Sequence, residues 1–389
     1  MKRTFAALVG ACLLAIGATN LSGQAPARGV TGDQILVGLE GATDSFSSDE
    51  ENLGMRLAMA EVNARGGIHG RRLIERSYPR KGGAAIDEGV ANARRLIEED
   101  AVFLLFNMGG PASVRIAPLA MSHQVPYLFP HTALLTRNAD RYVFTSFPRY
   151  AGETAVMFKH LAATRGFKRL AIVHDENEYG SYFRDRLVEL APSLGYQMVG
   201  AEGLTDRKPA DLAPALRRLR PARPDAVILA LYPEQAQAVM RAKAALSWGD
   251  VRMVATGPLT DEQYLNVEGG AAEGSIGFCL YPDPNRDQSA GVREYRRLMA
   301  VHFPGHALNR YSLYGYVFGR LAAEGLERAG RALTTDGFIN AMESIRNWDS
   351  GGIIPPVSLL AQNHHAQRAG FICELKNGRF EPITGWLEP

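Results

Sequence analysis

The stretch that decides the fold is Val102–Thr132, VFLLFNMGGPASVRIAPLAMSHQVPYLFPHT, which predicts a strand, a tight loop, a helix, a second strand and a second loop. Val102–Phe106 and Val125–Phe129 are short apolar runs bounded by glycine or proline, the pattern of strands buried on both faces of a parallel sheet. Both loops therefore follow the carboxyl ends of parallel strands, where open α/β sheets bind ligands.

The residues of these two loops favour holding a small anion. Gly109 and Gly110 let the backbone approach a ligand closely, and the free amides of the following helix attract negative charge. Ser113 and Thr132 offer hydroxyl groups for hydrogen bonds. Because no pair of acid, base or nucleophile accompanies them, the pattern indicates binding without reaction. The alternative is an ordinary βαβ unit whose glycines serve only a tight turn.

The start of the chain predicts a secretory signal peptide over residues 1–27. Met1–Arg3 is basic, Phe5–Ala18 is apolar, and Ala25–Ala27 has the small-x-small pattern of a cleavage site. The apolar run is shorter than the ~20 residues of a membrane span, and no later segment is longer, so we expect export without direct membrane insertion. Lipoprotein processing at Cys12 is the alternative, and it would leave apolar residues beyond the cut.

Composition limits the classes of partner. The 389-residue chain has 43 Lys and Arg against 41 Asp and Glu, and removal of Lys2 and Arg3 leaves 41 of each. A balanced surface gives no electrostatic case for nucleic acid, and the length suits two domains. Cys279 and Cys373 remain after export; their spacing leaves open whether they pair, and the oligomeric state is equally open.

Alternating strands and helices predict two doubly wound α/β lobes. The first pattern runs from Gln34 to Pro148, and the second begins after it, with strand-end loops that present Tyr179, Tyr232 and Thr256. Two lobes whose loops face each other form a cleft, the usual place for a small molecule. For the two tyrosines, the alternative is a half-buried aromatic residue at a sheet edge.

Three later segments complete this interpretation. Tyr281–Pro284 breaks the pattern like a crossing between lobes, and Asn377–Gly378 predicts a β-hairpin with a type I′ turn. His364–His365 is predicted to lie in a solvent-exposed loop, because adjacent side chains point to different sides and do not readily share a metal. Phosphate-loop, nucleophile-elbow and zinc-helix signatures are absent from the sequence. We therefore expect no catalytic residues, no metal and no cofactor.

Seven segments together resemble the type I periplasmic solute-binding proteins of ABC importers, in the family of the leucine/isoleucine/valine-binding proteins. They are GVTGDQILVGL (Gly29–Leu39), EVNARGGIHGRRL (Glu61–Leu73), ANARRLIEEDAVFLLF (Ala91–Phe106), VPYLFPHT (Val125–Thr132), IVHDENEYG (Ile172–Gly180), LYPEQ (Leu231–Gln235) and GGAAEG (Gly269–Gly274). The resemblance implies two Rossmann-like lobes joined by three hinge crossings, with residues 30–148 and 283–348 in lobe I and residues 149–282 and 349–389 in lobe II. It implies a periplasmic protein that is not an enzyme and that delivers a small-molecule ligand to a membrane permease.

The resemblance also implies a set of ligand-binding residues. Met108, Gly109 and Gly110 fall in the loop that binds a ligand carboxylate, and Gly110 occupies the likely place of a serine, so the hydroxyl would come from Ser113. His131 and Thr132 fall in the second carboxylate-binding loop. Tyr179 and Tyr232 match aromatic contacts of the second lobe. Phe46 and Ser47 fall on the loop after the first strand, and Thr256 and Leu259 fall on the loop after a later strand.

One departure from the family concerns the ligand. Branched-chain amino-acid binders hold the ligand ammonium with an acid near the Thr256–Leu259 loop, whereas VATGPLT has no acid before Asp261. A buried, unpaired ammonium costs several kcal/mol. This favours a carboxylate without an α-amine or an apolar molecule, unless Asp261 or Glu262 reaches in. An exported ligand-sensing module is the alternative function, and a secreted enzyme is disfavoured.

Overall fold

The computed structural model of the chain describes residues 27–81, 85–108, 110–135, 140–206, 209–265 and 270–388. All of the predicted signal peptide except Ala27 lies outside the described residues, and so does Cys12. Within the described ranges, no helix combines the length and the apolar character that a membrane crossing requires.

The first sheet has five parallel strands in the order β2-β1-β3-β4-β5. Its strands are β1 (Gln34–Glu40), β2 (Arg72–Ser77), β3 (Leu104–Asn107), β4 (Tyr127–Leu128) and β5 (Val143–Phe144). The apolar runs predicted as buried strands are β3 and β4, and every residue of both is buried. The prediction of parallel strands there is confirmed, because continuous apolar runs need both sheet faces covered.

The second sheet has seven strands in the order β12-β11-β10-β9-β8-β6-β7. They are β6 (Arg169–Asp175), β7 (Gln197–Leu204), β8 (Ala226–Ala230), β9 (Arg252–Ala255), β10 (Ile276–Cys279), β11 (Phe371–Lys376) and β12 (Arg379–Pro382). The first five are parallel, and the hairpin β11–β12 adds antiparallel strands. Asn377 and Gly378 have φ angles of 51° and 72°, the positive values of a type I′ turn. Cys279 and Cys373 form a disulfide between β10 and β11.

Helices cover the two sheets. They are α1 (Phe46–Ala64), α2 (Ile86–Glu98), α3 (Gly110–Ser122), α4 (Tyr150–Lys159), α5 (Glu178–Leu194), α6 (Ala213–Leu219), α7 (Pro233–Ala245), α8 (Glu262–Leu265), α9 (Ala290–His302), α10 (Arg310–Ala329) and α11 (Thr335–Glu343). Helices α1 and α10 approach closely through glycines: a Cβ atom on Gly315 would lie 2.0 Å from the Glu51 carbonyl oxygen. Although α10 follows β10 of the second sheet, it packs on α1, beside the first sheet.

Hydrogen bonds join the segments that pass between the sheets. The Thr145 amide donates to the His364 carbonyl at 3.0 Å, and the Ala366 amide donates to the Thr145 carbonyl at 2.8 Å. The Tyr281 hydroxyl, which follows β10, donates to Gln367 Oε1 at 2.8 Å. Three separate stretches of chain are thus tied together where the two lobes meet.

The structure corrects the prediction that His364 and His365 lie in an exposed loop. Both are buried, at 2% and 5% exposure. His364 stacks on Phe144 with ring centroids 4.0 Å apart and bonds Glu343 at 2.9 Å. His365 Nε2 bonds the Phe147 carbonyl oxygen, and burial lowers the pKa of His365 to about 4. The sequence could not show this burial, because Phe144 and Phe147, which contact the two histidines, lie more than 200 positions earlier in the chain.

Candidate functional site

The two predicted loops of the first sheet lie against each other. Gly110 begins α3, and a Cβ atom added there would lie 2.9 Å from the His131 carbonyl oxygen. The His131 amide donates to the Asn107 carbonyl at 3.1 Å, which fixes the second loop to the end of β3. Thr132 is buried, and its hydroxyl oxygen accepts an amide two residues later. Gly109 lies outside the described residues.

Behind these loops the structure has a buried polar network. Ser113 is fully buried and its hydroxyl donates to Asn107 Oδ1 at 2.5 Å. Asn107 in turn bonds Glu40, whose carboxylate pairs with Arg80 at 2.6 Å. Burial raises the pKa of Glu40, and the Arg80 charge opposes that rise. Met108 is also buried, within the first apolar core. The structure thus turns Ser113 and Met108 inward, where they support the loops.

On the second sheet, three predicted residues come together. Tyr179 lies with its ring centroid 6.0 Å from that of Tyr232 and with its hydroxyl 2.5 Å from Thr256 Oγ1. Because Thr256 donates its own hydroxyl hydrogen to a carbonyl of β8, Tyr179 is the donor in this contact. Asn177 donates to the Tyr232 hydroxyl at 3.2 Å. Leu259 is fully buried in the second apolar core instead.

Tyr150 links these two groups of residues. It is the first residue of α4, and its ring centroid lies 5.3 Å from that of Tyr179. Burial raises the pKa of Tyr150, and the backbone of Ala133, which directly follows the second loop of the first sheet, lies near the Tyr150 hydroxyl and opposes that rise. The residues after strands of both sheets therefore border one gap. The sequence analysis did not single out Tyr150, since it lies on a crossing segment and follows no strand.

The start of α1 also reaches across this gap. The Phe46 ring lies 5.9 Å from the ring of Tyr264 in α8 and 6.0 Å from the ring of Tyr311 in α10, edge-on in both cases. Ser47 is half-buried and lies 3.3 Å from Ser45 through their hydroxyl oxygens. Phe46 and Ser47 therefore lie at the boundary between the lobes.

A cavity lies between the two sheets. It is lined by Glu51, Phe147, Gly257, Pro258, Thr260, Leu280, Tyr281, Arg310, Tyr311 and Tyr314. None of the residues predicted from sequence is in this lining. Several are neighbours of it: Gly257 follows Thr256, and the His131 ring lies 4.5 Å from the Phe147 ring.

Glu51 lines this cavity and was not predicted from the sequence. Its spacing from Ser47 could have indicated it. It lies one helical turn after Ser47, so both share a face of α1. Glu51 is fully buried, with Oε1 bonded to His131 Nδ1 and Oε2 without a hydrogen-bond partner. Burial raises its pKa, and the His131 interaction opposes that effect.

A second buried carboxyl, Glu153, lies beside the loop in which the sequence shows no acid. It is 2% exposed, and its Oε1 accepts the Gly257 amide at 2.7 Å. Burial raises the pKa of Glu153 to about 8, so the carboxyl is largely protonated at neutral pH. Asp261 is buried and accepts the Arg310 backbone amide at 3.3 Å. The side chain of Glu262 lies outside the described part of the chain.

The chemistry of this site is that of holding a ligand. Among the described residues, no group of three His, Cys, Asp or Glu side chains is placed to hold a metal ion. The cavity lining contains aromatic rings, the Arg310 guanidinium and the buried carboxyl of Glu51, and Glu153 accepts the amide of the lining residue Gly257. Apolar walls with a few placed polar groups are typical of small-molecule sites.

The chain is similar in sequence to known binding proteins. Residues 35–379 match the family described as periplasmic binding protein. The Leucine-specific-binding protein of Salmonella typhimurium is 23% identical over 262 residues, covering 65% of this chain and 69% of that protein. The Leu/Ile/Val-binding protein of Citrobacter freundii is 24% identical over 279 residues, covering 69% of this chain and 71% of that protein.

Two solved structures share the fold. A branched chain amino acid ABC transporter protein from Thermus thermophilus with bound valine has a TM-score of 0.78 at 16% identity, covering 92% of this chain and 97% of that chain. A fatty acid ABC transporter substrate-binding protein from Thermomonospora curvata has a TM-score of 0.79 at 20% identity, covering 94% of this chain and 95% of that chain. Similar folds thus carry ligands as different as an amino acid and a fatty acid.

Proposed function

Because this chain belongs to the periplasmic binding protein family, whose members bind solutes without altering them, we propose that it is the substrate-binding component of an ABC importer. In this proposal it is exported by its N-terminal signal peptide to the periplasm. There it closes its two lobes on a small organic ligand and delivers that ligand to a membrane permease.

The observation that carries the proposal is the convergence of both lobes on one gap. Glu51 on α1 and Tyr311 on α10 approach from the side of the first sheet, and Gly257 follows β9 of the second. Nearby, the Tyr150 ring contacts that of Tyr179 on one side, and its hydroxyl lies near the backbone of Ala133, beside the loop of the first sheet, on the other. Micromolar affinity requires ~8 kcal/mol, and a ligand of ~10 heavy atoms supplies this only when most of its surface is buried. We propose that contacts from both lobes together bury the ligand to this extent.

The relatives define the first ligands to test. We propose a panel of leucine, isoleucine, valine, straight-chain fatty acids and aromatic acids, measured by isothermal titration calorimetry on the mature protein. At least one compound is expected to bind with micromolar or tighter affinity. Tyr232→Ala should weaken that binding at least tenfold, about 1.4 kcal/mol, because the ring lies at the gap beside Tyr179.

The matched control is Tyr78→Ala. The Tyr78 hydroxyl bonds Asp100 at 2.7 Å, and the ring packs against a core that contains residues of α2 and α3, so this variant removes an aromatic residue that does not line the cavity. The proposal fails when no compound of a broad panel binds, or when Tyr232→Ala and Tyr78→Ala change the affinity equally.

A further inference from the structure

We infer that the cavity beside Glu51 receives the positively charged group of the ligand, a protonated amine or a methylated ammonium, with Glu51 as its counter-ion. The inference rests on the proposed function, because it specifies the charge of the ligand held in the same gap.

The first argument is the unpartnered oxygen of Glu51. The side chain is fully buried, yet only Oε1 has a partner, the His131 ring. Oε2 is buried without a hydrogen bond, and Glu51 lines the cavity. A buried carboxylate oxygen without a donor costs free energy that a charged N–H donor or a nearby cation recovers. The cavity therefore presents one unsatisfied negative group to whatever enters it.

The cavity lining also contains four aromatic rings, those of Phe147, Tyr281, Tyr311 and Tyr314. Phe147 and Tyr314 have centroids 5.4 Å apart, and Tyr281 and Tyr314 have centroids 5.6 Å apart. The His131 ring stacks on Tyr311, with 13° between the planes. Ring faces attract ammonium groups, and a set of rings around one point is a recurrent way to bind them.

The hydroxyl groups of these tyrosines are already used. Each donates to a protein acceptor: Tyr281 to Gln367 Oε1 at 2.8 Å, Tyr314 to the Phe129 carbonyl at 2.7 Å, and Tyr311 to the Pro258 carbonyl. With their hydrogens committed, the three side chains contribute ring surface to the cavity. Glu51 therefore brings to the cavity an oxygen that no protein donor satisfies, and a cation bound there would favour its ionised form.

The positive groups near the cavity do not reverse this balance. The buried Arg310 guanidinium donates to the carbonyl oxygens of Tyr281 at 2.9 Å and Phe380 at 3.4 Å. Asp261 accepts the Arg310 backbone amide at 3.3 Å. His131 bonds the other Glu51 oxygen. A carboxylate in this cavity would face Glu51 at close range, which disfavours the anionic end of a ligand there.

Calorimetry with matched probes tests the inference on the intact mature protein. Choline is compared with its uncharged isostere 3,3-dimethylbutan-1-ol, and butylammonium with butanoate, so that methylated and protonated nitrogen are distinguished. Each cation is expected to bind about tenfold or more tightly than its matched neutral or anionic probe. Glu51→Gln should weaken cation binding about 10- to 100-fold and leave binding of 3,3-dimethylbutan-1-ol within about twofold.

Glu50→Gln is the matched control. Glu50 precedes Glu51 on α1 and also pairs with a histidine, His306, at 2.7 Å, but it is not part of the cavity lining. It should leave all four affinities nearly unchanged. If Glu51→Gln does not fold, the affinities of the unmodified protein for choline and for 3,3-dimethylbutan-1-ol still test whether the cavity prefers a cation.

Two results overturn the inference while the proposed function stands. The first is that fatty acids, butanoate or 3,3-dimethylbutan-1-ol bind at least as tightly as the cations. The second is that Glu51→Gln and Glu50→Gln change the affinity for the cations equally. Absence of binding by every probe and by the full panel of amino acids and organic acids overturns both proposals together.

Discussion

The buried carboxyl of Glu153 makes stability depend on pH in a direction opposite to that of most acidic groups. Burial raises its pKa from 4.5 to about 8, and the Gly257 amide partly opposes this. Between these two values the folded protein holds a proton that the unfolded chain has lost. Unfolding then releases this proton, which becomes more favourable as the proton concentration falls. The free energy of unfolding therefore decreases as pH rises through the window.

The size of the effect follows from the two pKa values. With about 1.4 kcal/mol for each pKa unit, protonation of Glu153 contributes about 4 kcal/mol at pH 5 and about 1 kcal/mol at pH 7, relative to pH 9. Glu153→Gln keeps an oxygen to accept the Gly257 amide but has no proton to lose. The variant should therefore gain up to about 4 kcal/mol relative to the unmodified protein between pH 5 and pH 9.

The assay is urea unfolding of both proteins at pH 5, 6, 7, 8 and 9, followed by tryptophan fluorescence and extrapolated to water. Glu178→Gln is the control, because it removes an exposed carboxylate at the start of α5. A difference between Glu153→Gln and the unmodified protein that stays constant or shrinks as pH rises would refute the reasoning, since the carboxyl would then be ionised in the fold.

Two further predictions concern packing and covalent linkage. Gly315→Ala places a Cβ atom 2.0 Å from the Glu51 carbonyl oxygen, so we expect a loss of about 1–3 kcal/mol in urea unfolding, whereas Gly32→Ala, which has open space around it, should change stability by less than about 0.5 kcal/mol. Replacing Cys279 and Cys373 by serine opens a disulfide that spans 94 residues, and the thermal midpoint under non-reducing conditions should fall by an amount equivalent to about 2–5 kcal/mol; an unchanged midpoint would show that the disulfide does not stabilise the protein.

Much of the fold was predictable because its signals are local. The apolar runs at β3 and β4 indicated buried parallel strands, and Asn377–Gly378 indicated the hairpin turn; both predictions are confirmed by the structure. The meeting of Gly110 with the His131 loop follows from the same rule, since loops after neighbouring parallel strands emerge at one edge. The pairing of Cys279 with Cys373 was left open, because two cysteines carry no information on the distance between them.

The composition of the cavity was less accessible. Glu51 lies in an amphipathic helix, and Tyr311 and Tyr314 lie in another whose partner is distant in sequence. The prediction that His364 and His365 are exposed was wrong for the same reason, because adjacency in sequence does not show what covers a side chain. Tyr179 and Tyr232 lie together beside the gap. The predicted ligand-binding roles of these two tyrosines and of the other residues of that set stay predictions.

What the sequence by itself determined is the order of strands and helices, the burial of the strands and the loops at their carboxyl ends, since these depend on patterns within about ten residues. Only the tertiary structure decided the chemistry of the two buried carboxyls. Glu51 meets a histidine 80 residues away, and Glu153 meets a main-chain amide 104 residues away. A carboxyl is charged or neutral, paired or available to a ligand, according to the solvent and partners around it, and folding alone brings those partners to it.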